Sequence, residues 1–131
     1  MKNLLLPILL IFSMTAYSDN GPENESVISW LNIVDSGEYA ASWDESASLF
    51  QEQISSSSWV QALNKVRAPL GSVISRKVTG TSAYSTLPGA PAGEYVVVTL
   101  ATNYENKNAA TETVTVTKNG NKWRVVGYFI K

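Results

Sequence analysis

The stretch "RAPLGSVISR", Arg67–Arg76, marks the point where the chain changes period. Before it, apolar residues recur every three or four positions; after it, they alternate. "SSSSWVQALNKV" puts Trp59, Leu63 and Val66 on one helical stripe, with serines able to cap its start. Pro69 removes a backbone donor and biases Ala68 away from helix. Gly71 then permits a sharp bend, and Leu70 can plug the core beneath it. The segment therefore predicts a structural joint between a helical half and a stranded half. Arg67 falls at the helix C-terminus, where the dipole favours a cation, so a helix-end charge or an ion pair is expected there.

Upstream, "ESVISWLNIVDSG" carries Val27, Trp30, Leu31 and Val34 at helical spacing, broken by Asp35-Ser36-Gly37. "EYAASWDESASLFQEQIS" resumes with Tyr39, Trp43, Ala47, Phe50 and Ile54, which predicts a single amphipathic helix. Its other face carries Asp44, Glu45, Ser48 and Glu52. Downstream, four strands are expected in "SVISRKVTGTSAYS", "EYVVVTLATNYEN", "AATETVTVTKNG" and "NKWRVVGYFIK". The first is broken or bulged at Gly80. Asn119-Gly120 or Gly120-Asn121 turns the last hairpin. Three helices followed by four strands read as α+β, with an antiparallel sheet because the loops are too short for crossovers. The helices cover one face of a curved sheet, with Trp30, Trp43 and Trp59 buried between the layers. By analogy of element order, this is the cone of nuclear-transport-factor-2-like and cystatin-like domains.

The first eighteen residues, "MKNLLLPILLIFSMTAYS", have a basic head, a nine-residue apolar run from Leu4 to Phe12, and small residues Ala16 and Ser18. They read as a secretory signal peptide; the run is about half the roughly 20 residues that span a bilayer. Residues 19–131 are then expected as a single α+β domain, exported to the periplasm or secreted, without a stable membrane anchor.

Composition excludes more than it assigns. Ten Lys and Arg face 11 Asp and Glu, a balance with no electrostatic footprint for nucleic acid. There is no cysteine and no histidine. That removes disulfides, nearly all zinc sites, and Ser-His or Cys-His nucleophile pairs. No cofactor, metal or catalytic residue is predicted, and no nucleotide-binding glycine motif occurs.

Several stretches resemble a family of exported bacterial proteins known as domain of unknown function 4019. The pieces are "WLNIVDSGEYAASWDESASLFQ", Trp59 followed by "RAPLGSVISR", "LPGAPAGEYVVVTLAT", "ENK", "ETVTV" and "WRVVGYFIK". The resemblance implies export, one small α+β domain and a bacterial source. It carries over no catalytic residue, because the family supplies none.

Five residues stand out as candidate ligand-binding groups: Arg76, Glu112, Arg124, Tyr128 and Tyr95. Strict alternation puts Arg76 on one side of its strand with Ile74 and Val78, an apolar side where an arginine needs a carboxylate or a ligand. Glu112 aligns with Val114 and Val116 and poses the mirror problem. The bland solution pairs Glu112 with Arg76, Arg124 or Lys107 within the sheet. Arg124, Val126, Tyr128 and Ile130 fall on one face of the last strand; Trp123, Val125, Gly127 and Phe129 fall on the other. Both faces are apolar, which fits an overlying segment, a homodimer interface or a pocket.

"LPGAPAG", Leu87–Gly93, has the proline spacing of a polyproline ligand, but such loops mostly connect strands. Asn24-Glu25-Ser26 is a bare glycosylation sequon, a weak match.

The expected function is a non-catalytic binding or interaction module. Its surface would be the concave sheet face plus the Leu87–Gly93 loop, and its partner an envelope protein or a small molecule. The alternative is a cofactor-free acid/base isomerase or dehydratase, with Glu112 or Asp44 as base and Tyr128, Tyr95 or Tyr39 as oxyanion donor. That chemistry requires a carboxylate and a phenol converging in one apolar cavity. A third reading is a structural part of an envelope assembly that oligomerises through the last strand.

Overall fold

The computed structural model describes residues 21–131. The expected signal peptide, residues 1–18, lies outside the described residues. Among them, four α-helices precede four strands: α1 (Pro22–Asp35), α2 (Tyr39–Asp44), α3 (Ser48–Gln53), α4 (Ser56–Val66), a 3-10 turn (Ala68–Leu70), β1 (Val73–Tyr84), β2 (Tyr95–Tyr104), β3 (Lys107–Asn119) and β4 (Lys122–Ile130).

Local chemistry sets the helix ends. Pro22 opens α1, where a missing N–H costs nothing. Gly37, at φ 83, closes it, with backbone bonds from Gly37 to Val34 and from Glu38 to Ile33. Ser55 caps α4 by accepting from the Ser58 N–H at 3.2 Å.

The stripe from Tyr39 to Ile54 predicts one helix, and the structure has two. The cause is tertiary. Ala47 leaves helical geometry at ψ 154 and gives its N–H to the Val125 carbonyl of β4 at 2.8 Å. Arg124 donates to the Glu45 carbonyl at 3.1 Å. The edge of β4 thus takes backbone bonds that a continuous helix would have kept. The stripe survives the break, because Tyr39, Trp43, Phe50 and Ile54 all still reach the core.

The strands form one antiparallel sheet in the order β1-β2-β3-β4. Gly120, at φ 68, takes the first position of the two-residue β3–β4 turn. Val96, Val98, Leu100, Val114 and Val116 line the face that the helices cover. Thr113, Thr115 and Thr117 face the other way and are only half-buried. Three indoles tie the layers together while keeping their own N–H groups satisfied. Trp30 donates to the Ser42 carbonyl, Trp59 to the Ser42 hydroxyl and Trp43 to the Ile54 carbonyl, each at 2.9 Å. Burying such a side chain contributes on the order of 1.5–3 kcal/mol.

The register shifts at four places: Val73/Ser75, Val78/Gly80, Thr102/Tyr104 and Thr115/Val116. Each adds a residue on one side of a ladder and bends the sheet. The expected bulge at Gly80 is among them. The others change which residues share a face. The first leaves Ile74 out of register and 67 % exposed, so it does not share the buried side with Arg76.

"RAPLG" is a joint, and the β2–β3 turn pins it. Asn106 donates from its side chain to the Pro69 carbonyl and from its backbone to the Leu70 carbonyl, both at 2.9 Å. Glu105 accepts from the Ser72 N–H at 2.8 Å. Arg67 bonds the Gly71 carbonyl at 2.7 Å. Gly71 sits at φ 80, and a Cβ there would meet the Glu105 carboxylate at 2.7 Å, so only glycine fits.

Candidate functional site

Polar residues on the helix-covered face converge at one end of the sheet. In register, Arg76 of β1 lies opposite Thr102 of β2, and Glu112 of β3 lies opposite Leu100 of β2 and Ile130 of β4. Glu112 is 0 % exposed. One of its oxygens accepts from Arg76 Nε and from the Thr102 hydroxyl, both at 2.6 Å. The other accepts from Arg76 at 3.1 Å and from the Tyr128 hydroxyl at 2.5 Å. Arg76 also forks onto Asp35 at the end of α1, at 2.7 and 3.0 Å. Asp35 in turn accepts from Arg67 at 3.2 Å, and the Arg67 guanidinium lies 4.7 Å above the Tyr104 ring. Two arginines and two carboxylates therefore form a linear chain, Arg67–Asp35–Arg76–Glu112, whose charges cancel.

The network sets the proton affinities of its members. Burial alone would raise the pKa of Glu112; the bonds from Arg76, Thr102 and Tyr128 outweigh it and hold the carboxyl below its usual range. Burial works against the charged Arg76 guanidinium, yet the bonds it donates to Asp35 and Glu112 raise its pKa overall. Tyr128 is pushed up by burial and then by the charge of Glu112. The same two causes push Tyr104 up to about 12. The Tyr104 hydroxyl and Arg67 Nε make no well-formed hydrogen bond of their own.

Of the five candidate residues, the structure brings together Arg76, Glu112 and Tyr128. It pairs Glu112 with Arg76 and not with Arg124 or Lys107. Arg124 is elsewhere because of the bulge in β4. Across β3, Tyr128 pairs with Val114 and Val125 pairs with Val116, two residues of one face. Arg124 pairs with Thr117, on the opposite face. Strict alternation had put Arg124 and Tyr128 together; the bulge corrects it. Arg124 instead lies 3.8 Å from the Glu45 carboxylate at the sheet edge. Tyr95 also faces away from the network. Its hydroxyl donates to the Pro91 carbonyl at 2.6 Å, which fastens the Leu87–Gly93 loop.

Asp35, Thr102 and Tyr104 were not among the expected residues. Each left a signal. Asp35 ends α1, where a carboxylate opposes the dipole unless a cation answers it. Thr102 and Tyr104 continue the alternating face of Val96, Val98 and Leu100. Arg67 was expected as an ion pair or a helix-end charge, and Asp35 is its partner.

Two of the surface clefts among the described residues each measure about 400 Å³. The first runs between α1 and β4. Trp30, Ile33, Trp123 and Val125 form its floor, and Glu25, Glu45, Lys122 and Arg124 form its rim. The second lies beneath Leu87–Ala90 and is walled by Tyr95, Thr115, Val126, Gly127 and the α3 residues Leu49 and Gln53. The loop thus overlies the threonine face of β3 and β4. Asn24 of the sequon is 2 % exposed, out of reach of a glycosylating enzyme in the folded chain. Asp44 is exposed. Among the described residues, no three His, Cys, Asp or Glu side chains gather to hold a metal ion, and no helix is long and apolar enough to cross a membrane.

Residues 26–128 match the family model described as protein of unknown function, DUF4019. The chain belongs to this family. The match takes in every residue of the charge network, from Asp35 to Tyr128, and most of the described chain. No curated protein matches it. Membership in DUF4019 brings no named activity, so the chemistry has to be argued from the geometry.

Proposed function

We propose that this DUF4019 chain is an exported, non-catalytic binding module whose recognition surface is the cleft between α1 and β4. One observation carries the reading: the interior ionisable groups are spent on one another. Glu112 accepts four hydrogen bonds, three of them from Arg76 and Tyr128. A carboxylate so engaged has no lone pair to aim at a substrate, and its lowered pKa makes it a poor base near neutral pH. The surface is where unspent chemistry remains. The α1–β4 cleft offers two indoles and both signs of charge, a combination that suits a small zwitterion or an amphipathic peptide of an envelope protein.

The leader-like first eighteen residues support export. Helices covering one side of a bent antiparallel sheet are in keeping with the cone of nuclear-transport-factor-2-like domains. The isomerase alternative draws support from the 2.5 Å contact between Tyr128 and Glu112. It is weaker because that phenol and that carboxylate satisfy each other and an arginine, rather than facing an apolar cavity.

The test reverses exposed rim charges. Wild type and the Glu25→Lys and Lys122→Glu variants are used to capture ligands and proteins from an envelope extract. A species held by wild type is expected to fall about tenfold on each variant, as the loss of roughly 1.4 kcal/mol would give. Equal capture by all three would place recognition elsewhere.

A further inference from the structure

We propose that the free edge of β1 pairs with the same edge of a second copy of this chain, antiparallel about Ser82, joining two four-stranded sheets into one. The two outer edges differ. The edge of β4 is partly closed, since the loop before α3 bonds Val125 through Ala47 and Arg124 reaches the Glu45 carbonyl. β1 stands first in the sheet order and, among the described residues, has no strand neighbour on its outer side.

Exposed edges normally carry devices that discourage pairing: bulges, charges and prolines. In β1 they are all in one half. Both bulges and both charged residues, Arg76 and Lys77, lie before Gly80. From Gly80↔Thr99 to Tyr84↔Tyr95 the register runs without a break. Thr79–Thr86 contains no charge and no proline, and Thr81–Ser85 are all exposed.

The direction of the free backbone groups singles out the register. The Lys118 N–H bonds the Glu94 carbonyl, so the backbone groups of Glu94 face β3 and those of Tyr95, Val97 and Thr99 face β1. Their partners Tyr84, Ser82 and Gly80 therefore face β2, and alternation turns the N–H and C=O groups of Thr81 and Ala83 outward. A two-fold axis at Ser82 then gives about four main-chain hydrogen bonds, between Thr81 of each chain and Ala83 of the other, with Ser82 facing its own copy and Tyr84 facing the Gly80 position of the other chain. Tyr84 is 47 % exposed. A tyrosine crossing a bare glycine on the same face is a favourable cross-strand pair. No like charges meet in this register.

The contact is short, so the dimer is weak and depends on concentration. Sedimentation equilibrium on the purified protein, from about 10 µM to about 1 mM, is the first measurement. The average mass is expected to climb toward that of two chains. Ser82→Lys places two lysines face to face at the axis and is expected to hold the protein as a single chain throughout, with an unchanged circular dichroism spectrum. Because the chain has no cysteine, Ser82→Cys is expected to cross-link into a dimer on mild oxidation, whereas Lys77→Cys does not. A single chain at every concentration would overturn the proposal. So would association of Ser82→Lys equal to wild type, or cross-linking through Lys77→Cys and not Ser82→Cys.

Discussion

Four hydrogen bonds converge on Glu112 and two anions share Arg76. Removing one partner of such a buried group strands the other. Glu112→Gln should therefore cost about 3–5 kcal/mol in urea unfolding. Two tyrosines at the same end should behave differently. Tyr128→Phe deletes a hydrogen bond to a charged group and should cost about 1.5–3 kcal/mol. Tyr104→Phe removes a hydroxyl that makes no well-formed hydrogen bond, and its stability should stay within about 0.5 kcal/mol of wild type. The pH profile follows from the same groups. Glu112 has a folded pKa below its unfolded value, so its contribution is present above about 4.5 and is lost as pH falls through the folded value. Tyr104 is shifted the other way, to about 12. Its contribution is full below the unfolded value of 10.0 and is lost as pH rises from there toward 12. A plateau of stability around neutrality, with a fall on both sides, is expected from thermal melts across pH.

The bulge in β4 puts Val125 and Tyr128, three residues apart, on the same side of the sheet. Deleting Val126 would restore strict alternation and push one of the two out of the core. The deletion should abolish the cooperative unfolding transition, whereas Val126→Ala at the same site should cost no more than about 1 kcal/mol. Urea titration followed by tryptophan fluorescence separates the two outcomes. The same bulge explains what could be read in advance. Helix stripes, the Pro69–Gly71 joint and the valine face of β3 are local patterns, and each was visible in the residues. The bulges at Ile74 and Val126 were not, because an extra residue in a ladder is defined by the partner strand. The faces of Ile74 and Arg124 were misread for that reason. The break between α2 and α3 was hidden in the same way, since the bond that causes it comes from Val125, far along the chain.

Across the molecule, one set of residues answers two questions at once: the charges that a binding site would use are the charges that tie α1 to the sheet. Asp35 reaches from the helix layer to Arg76 on β1, and Glu112 reaches from Arg76 to Tyr128 on β4. Helices and strands should therefore unfold together, with fluorescence and circular dichroism tracing the same urea curve. The pKa of Glu112, read from the carboxyl carbon by NMR titration, tests the interior account most directly. A value well below the ordinary 4.5, with no inflection near neutrality, is the predicted result. A value above about 6 would mark a carboxyl poised for acid/base work and would contradict the account.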